Sequence, residues 1–314
     1  MVFDDEGHVA RSSSLIAVVG ATGTGKSALS LGIAQLLEAR GRQVEIVNAD
    51  AMQLYEGMNI GTAKLSYDER LGVPHHLLDV LPVTADASVA WYQSSARQIV
   101  EDILRRGHVA VLVGGSGLYV SSVLFPYVFP GHDEQIRARL ETELEANGIE
   151  PLYHRLADLD ADAATRIGPH NARRIVRALE VAEMTGSPVS GTRPDAHALW
   201  KPTRIIGMSA PRDDLTARLN QRVRLMWEQG LPDEVATLIP RGLEQGTTAS
   251  RAIGYAQALA FLRGELSRDD AIAMTQQLTR RYARRQVSWF ARYPQVTWLT
   301  QTDASTIEHT LDML

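Results

Sequence analysis

Gly20, Ala21, Thr22, Gly23, Thr24, Gly25, Lys26 and Ser27 satisfy the spacing G-x-x-x-x-G-K-[ST], and these residue types can hold phosphate. Glycines at 20, 23 and 25 let the backbone curl so that its N–H groups point inward, and a helix opening at Lys26 adds the positive end of its dipole. Lys26 brings a point charge to the outer phosphates, and the Ser27 hydroxyl can ligate magnesium. Taken alone, the pattern reads as the nucleotide site of an ATP-using kinase or NTPase. One usual partner is absent. After the apolar run 109–113, where many such proteins carry a magnesium-binding Asp, the chain has Gly114, Gly115, Ser116 and Gly117. The acidic group follows a different apolar run, as Asp50. The loop therefore suits a diphosphate other than that of ATP.

The elements that must position these groups are legible from apolar patterning. Residues 15–19 read as a buried strand ahead of the loop and Lys26–Ala39 as the helix after it. Further strands are predicted at Val44–Asn48, 109–113, 204–208 and Val296–Leu299, with helices at 88–106, 213–229, 233–239, 250–263 and 269–292. Strands alternating with helices imply an α/β fold with a parallel sheet flanked by helices, whose ligands sit at the carboxyl ends of the strands. Gly20, Asp50 and Gly114 all fall at such ends. Between 131 and 194 amphipathic helical stretches occur without a credible strand, so an all-helical insertion (131–194) is expected to interrupt a core formed by 1–130 and 195–314.

Composition removes several classes of function. With 314 residues, 45% hydrophobic and 22% charged, the chain can bury a substantial core. It has no cysteine, which excludes disulfides, thiolate nucleophiles and Cys-ligated metals and is compatible with a cytoplasmic location. No apolar run approaches a membrane span, and the polar N-terminus reads as a frayed tail without a signal peptide. Net charge is −5, against a surface coated with nucleic-acid-binding charge. The charge is unevenly placed, however. Residues 271–301 contain no acidic side chain but carry Arg280, Arg281, Arg284, Arg285 and Arg292.

The blocks GATGTGKS, VNADAMQLYEGMNIGTAK, PHHLLDV, VLVGGSGLYV, NARRIVRALE, GTRP, SRAIGYAQAL and TRRYARRQVSWF together resemble the tRNA dimethylallyltransferases, also called tRNA isopentenyltransferases, from about residue 15 to about residue 298. The resemblance implies a P-loop NTPase-like fold with a helical insertion that contacts tRNA. It implies transfer of a dimethylallyl group from dimethylallyl diphosphate to N6 of the adenosine just 3′ of the anticodon, in tRNAs reading codons that begin with U, with magnesium as cofactor. Such an enzyme hydrolyses no NTP, which explains the missing Asp after residue 113. The expected partners are the tRNA anticodon stem-loop and dimethylallyl diphosphate, with no membrane and a monomeric chain. Eukaryotic relatives often append a Cys-ligated zinc finger, which this cysteine-free chain cannot form, so the bacterial type is expected.

Residue roles follow from chemistry and resemblance together. An exocyclic adenine amine is a poor nucleophile because its lone pair is delocalised, so a base within hydrogen-bond reach of N6 assists attack. Asp50 is the candidate and matches the family's catalytic Asp; its alternative roles are an N-cap or a magnesium ligand. As diphosphate leaves, the charge on its oxygens must be stabilised, by the loop, Lys26, magnesium on Ser27 and an arginine. Thr24 matches a family position at the bridging oxygen. The family also places a diphosphate-binding Arg in the segment holding Arg218 and Arg222, which sit one helical turn apart. The choice between them stays open, with Arg222 preferred. By resemblance, tRNA contacts fall at Asp50, Ala51, Met52, Gln53, Ser116, Arg137, Arg173, Arg174, Arg177, Arg251, Gly254 and Tyr255. Arg281 and Arg285 add a basic face to the last helix, whose Tyr282, Trp289 and Phe290 are expected in the core. His75 and His76, on opposite faces of an extended segment, are read as hydrogen-bonding groups that position Asp50 or the loop. Competing readings are a small-molecule kinase that binds ATP, an adenylate isopentenyltransferase and a non-enzymatic RNA-binding protein. The insertion and the basic helix speak against the second, and a carboxylate facing the phosphate loop against the third.

Overall fold

Every residue of β1 (Leu15–Gly20) is buried, as an unbroken apolar run requires when a parallel strand is covered on both faces. The same holds for β2 (Val44–Asn48) and nearly so for β4 (Val109–Gly114). In the computed structural model, which describes residues 15–187, 198–293, 296–300 and 305–308, these strands join β3 (His75–His76), β5 (Thr203–Met208) and β6 (Val296–Leu299) in one sheet. Its order is β3-β2-β4-β1-β5-β6, with every pairing parallel. Parallel neighbours need crossovers. These are supplied by α1 (Lys26–Ala39), α2 (Val89–Arg105) and further helices, as the expected α/β class demands. The block GTRP and the N-terminal tail lie outside the described residues.

Local chemistry sets the boundaries. Ser88 caps α2 by accepting from Trp91 N at 3.1 Å, and Tyr92, Ala96, Val100 and Ile103 bury one stripe of that helix. Each fully buried aliphatic or aromatic side chain contributes ~1.5–3 kcal/mol of transfer free energy. The sheet core closes over α1 through Leu29, Ile33 and Ala34. Two elements depart from expectation. Residues 250–263 do not form one helix: a 3-10 turn (Ala249–Arg251) precedes α10 (Tyr255–Leu262), because Gly254 adopts φ 94° between them. The segment after β4 also contains α3 (Gly117–Leu124), hidden in the sequence by its glycine-rich start.

The remaining helices of the first unit, which spans Met1–Leu124 and Leu199–Leu314, are α8 (Arg212–Glu228), α9 (Leu231–Leu238) and α11 (Arg268–Phe290). They share a core built on Trp227, Leu231, Tyr255 and Leu259. The second unit, Phe125–Ala198, contains α4 (Glu134–Asn147), α5 (Ile149–Leu159), α6 (Ala161–Ile167) and α7 (Ala172–Thr185) around Leu140, Leu152, Leu156, Ile175 and Leu179. Asp133 and Asn171 cap α4 and α7.

At the amino end of β2, the buried carboxylate of Glu45 gathers Arg106 at 2.5 Å, His108 at 2.7 Å and His76 at 2.7 Å. Burial alone would raise this carboxyl; the hydrogen bonds from Arg106, His108 and His76 outweigh it and hold Glu45 at about 2 against the usual 4.5. Since the folded value lies below the unfolded one, the stabilisation is present above pH 4.5 and is lost as pH falls through about 2. It amounts to on the order of 3 kcal/mol. Glu45→Gln is expected to flatten the acid limb of the stability curve over that window. Urea titrations from neutral to acid pH check this, and an unchanged limb would assign the acid sensitivity elsewhere. The expectation that these histidines hydrogen-bond to position Asp50 or the phosphate loop is corrected here: His76 bonds Glu45, and His75 Nδ1 pairs with Val73 O at 2.8 Å.

Candidate active site

The phosphate loop turns from β1 into α1 at the carboxyl edge of the sheet. Gly20, at φ 143°, must lack a side chain, because a Cβ would lie 2.4 Å from Met208 O on the neighbouring strand. Within the loop, Lys26 Nζ and Thr24 Oγ1 both donate to Ala21 O at 2.8 Å. Ala21 packs against Leu215 and Leu219 of α8 and Ala283 of α11, so the loop is seated between two helices.

A cavity of about 380 Å³ opens over the loop, walled by Thr22, Gly23, Gly25, Lys26, Ser27, Asp50, Gln53, Arg218 and Arg222, with Ile46, Leu65, Leu78 and Val113 as its apolar side. A second cavity, of about 300 Å³, is walled by Asp50, Ala51, Met52, Ser116, Arg222, Arg251, Gly254, Tyr255, Tyr282 and Arg285. Thr22, Asp50, Thr62 and Arg222 belong to both. The candidate base and the preferred arginine thus stand at the boundary between a space lined by the loop and its cations and one lined in part by Tyr255 and Tyr282.

Asp50 is held there by a network that the sequence does not display. It caps the 3-10 turn Ala51–Leu54, with Oδ1 accepting from Met52 N at 3.0 Å; among the described residues, its other oxygen has no hydrogen-bond partner. Asn48, 5% exposed, accepts from Asp50 N at 3.0 Å and donates to Asp50 O at 3.0 Å and to Leu77 O at 2.9 Å. Ser116 Oγ accepts from Ala51 N at 3.1 Å and lies 3.4 Å from the Tyr282 hydroxyl. The N-cap role of Asp50 therefore occupies one oxygen of the carboxylate and leaves the other for the base role expected of it.

Charge in the first cavity is concentrated and partly dehydrated. Burial pushes the Lys26 ammonium down to about 8; Asp50 opposes the shift and Arg222 adds to it. Burial likewise lowers Arg222, against the pull of Asp50. A site of this kind takes up a proton when an anion arrives. Diphosphate binding is expected to lift Lys26, so affinity is retained below pH 8 and weakens as pH rises above about 8. Calorimetry in buffers of different ionisation enthalpy, at about pH 8.5, should register proton uptake that Lys26→Met abolishes; identical heats would refute it. Among the described residues no cluster of three or more His, Asp or Glu side chains is built to hold a metal alone. Magnesium is ordinarily held by one or two protein oxygens together with substrate phosphates, and the Ser27 hydroxyl, which lines the first cavity, fits that donor chemistry.

Not every expected residue falls where the motif suggests. Thr24 is 4% exposed and lines neither cavity; its hydroxyl is committed to Ala21 O, and Thr22 faces both spaces. Tyr255 is buried, with its hydroxyl donating to Glu234 Oε1 at 2.5 Å. Glu234 also accepts from Ile60 N at 2.7 Å and Asn59 N at 3.1 Å, so Tyr255 helps pin the loop that carries Thr62. Tyr282 is not core: it lines the second cavity beneath Arg285, 5.7 Å from the ring centre. Phe290 is fully buried, and Trp289 Nε1 donates to Ser121 Oγ at 3.0 Å. Arg281 is exposed and lines neither cavity. In the second unit, Arg137 and Arg177 pair with the fully buried Glu180 at 2.7 and 3.0 Å, whereas Arg173 and Arg174 are exposed. Gln286, overlooked among its arginine neighbours, accepts from Thr22 N and donates to Gly115 O, both at 2.8 Å.

Residues 53–293 match the family model described as IPP transferase. Curated relatives named tRNA dimethylallyltransferase include one from Clavibacter sepedonicus, 60% identical over 96% of this chain and 97% of that protein, and one from Thermobifida fusca (strain YX), 55% identical over 91% and 90%. Among solved structures, the full-length tRNA isopentenylpyrophosphate transferase of Bacillus halodurans aligns with a TM-score of 0.68 at 36% identity, covering 96% of this chain and 95% of that one. A eukaryotic dimethylallyltransferase described as acting on tRNA aligns with a TM-score of 0.78 at 28% identity, over 92% of this chain and 74% of that one. With a family model spanning most of its length and relatives of this identity, the chain belongs to the IPP transferase family.

Proposed function

We infer that the protein transfers the dimethylallyl group of dimethylallyl diphosphate to N6 of the adenosine just 3′ of the anticodon, in tRNAs that read codons beginning with U, releasing diphosphate. The observation that carries this reading is the meeting of two cavities at Asp50 and Arg222. One has the cationic and N–H-rich wall that a diphosphate requires. The other has the aromatic and guanidinium surfaces on which an extruded base stacks.

The chemistry follows from that junction. The free oxygen of Asp50 takes the N6 proton as nitrogen bonds the allylic carbon, and the carbon–oxygen bond to diphosphate breaks. Lys26, Arg222 and the loop N–H groups stabilise the departing oxygens, and the sheltered position of the cations strengthens that stabilisation. Ser27 would hold magnesium, which when bound supplies further positive charge to the diphosphate. Tyr282, whose hydroxyl burial and Asp50 push up to about 12, stays neutral and offers its ring rather than an acid. Arg173, Arg174, Arg281 and Arg285 supply exposed cations for the RNA backbone.

Mass spectrometry of an unmodified anticodon stem-loop incubated with donor and magnesium tests the reading. A gain of one dimethylallyl group, lost when the target adenosine is replaced, supports it. Absence of transfer combined with thermal protection by ATP alone would establish the kinase reading instead.

A further inference from the structure

We propose that Gln286 is a positioning residue for the diphosphate donor, its amide fixing the outer lip of the phosphate loop. The side chain is 4% exposed and both ends are used: Oε1 accepts from Thr22 N and Nε2 donates to Gly115 O, at 2.8 Å each. This arrangement admits one orientation of the amide. Rotating it by half a turn would set donor against donor and acceptor against acceptor.

The loop needs such a strap. Gly20, Gly23 and Gly25 take φ values of 143°, 80° and 96°, in regions where glycine leaves the chain mobile. The bonds made by Lys26 and Thr24 return to Ala21 O inside the loop, and the packing of Ala21 on Leu215, Leu219 and Ala283 is non-directional. The other bonds to the loop backbone are the β1–β5 ladder at Gly20 and the local ones from Leu29 N to Gly25 O and Ser30 Oγ to Ser27 O; among the described residues, Gln286 is the one side chain distant in sequence that hydrogen-bonds it. Its nitrogen also sits close to the anion site: a Cβ on Gly115 would lie 2.4 Å from Gln286 Nε2 and 3.3 Å from Lys26 Nζ.

Position along α11 gives the strap a functional reading. Tyr282 and Arg285, on the same helix, line the second cavity, so one rigid element carries both the acceptor-side wall and the clamp on the donor loop. Because Thr22 N–H is spent on Gln286, the anion is left to the N–H groups further along the loop and to Lys26. Gln286 thereby sets which donors converge on the leaving group.

The proposal rests on the diphosphate reading of the loop. Gln286→Met keeps the shape of the side chain and removes both bonds. It is expected to raise the donor KM about tenfold, as loss of two ordinary hydrogen bonds implies, with the KM for an anticodon stem-loop RNA held within about twofold. Gln286→Glu supplies a bond-specific check. Ionised, it cannot donate to Gly115 O; protonated, it reproduces the acceptor and donor of the amide. Burial raises such a carboxyl above its ordinary value of about 4.3, so the variant's donor KM relative to wild type should fall as pH is lowered from about 7 to about 5. A Met variant that loses thermal stability but keeps its donor KM, or a Glu variant whose ratio does not move with pH, would overturn the proposal. Failure of the wild type to turn over dimethylallyl diphosphate would instead defeat the functional reading beneath it.

Discussion

Asp50→Asn is expected to lower kcat by about 10²- to 10⁴-fold, the usual contribution of a positioned general base, while the donor KM stays within about threefold. The substitution is chosen because the carboxylate has two duties. Its Oδ1 accepts from Met52 N at 3.0 Å, and an amide oxygen at the same place preserves that cap. Asn48 grips the Asp50 backbone on both sides, so the turn remains where it is. What disappears is the second oxygen's capacity to take a proton from N6. Asp50→Ala would add the loss of the cap, worth about 1 kcal/mol, and so confound folding with catalysis. Single-turnover assays on an anticodon stem-loop separate the effects. A variant that loses donor binding yet keeps its turnover rate would reassign Asp50 to the anion site.

The second large effect distinguishes two arginines one helical turn apart. Arg222 is half-buried, borders both cavities and influences Lys26 directly. Arg218 is exposed and borders the first alone. Removing a desolvated charge from its counter-ion costs about 2–5 kcal/mol, so Arg222→Gln should reduce kcat/KM for the donor at least about 30-fold. Arg218→Gln, replacing a solvated cation, should cost no more than about fivefold. The Arg222 variant carries a further signature. Arg222 contributes to the depression of Lys26, so its removal should shift the pH-dependent loss of diphosphate affinity upward. The reverse ranking of the two variants would move the role to Arg218.

Much of this architecture is legible in the chain because its determinants are local. The strands near 15 and 109 are continuous apolar runs, and those near 44 and 204 are apolar apart from Glu45, Asn48 and Arg204, a pattern that suits a parallel sheet covered on both faces. The loop, Asp50 and the glycine-rich turn after β4 fall at strand ends by the same logic. What escapes is decided by distant partners. His75 and His76 form a two-residue strand too short and too polar to show periodicity. The choice of Thr22 over Thr24 is a matter of which hydroxyl finds the Ala21 carbonyl first, and both fit the motif equally. Gln286 meets Thr22 across 264 positions of sequence, and its signal, a neutral amide on the buried face of an arginine-rich helix, becomes meaningful only once the loop lies opposite it. Tyr282 reads as a core residue for the complementary reason: an aromatic at helical spacing looks identical whether its neighbour is a protein side chain or a cavity.

The backbone bond from Trp200 N to Leu124 O, 2.7 Å long, joins the two residues between which the chain departs into Phe125–Ala198 and returns. To the sheet, that whole segment is a loop already closed at its neck. The entropy of closing a loop grows only with the logarithm of its length, so residues 125–198 can lengthen, shorten or be exchanged during descent without disturbing strand register. The frame around Asp50 and the inserted module are thereby placed under separate evolutionary control, so either can change while the other stays constant.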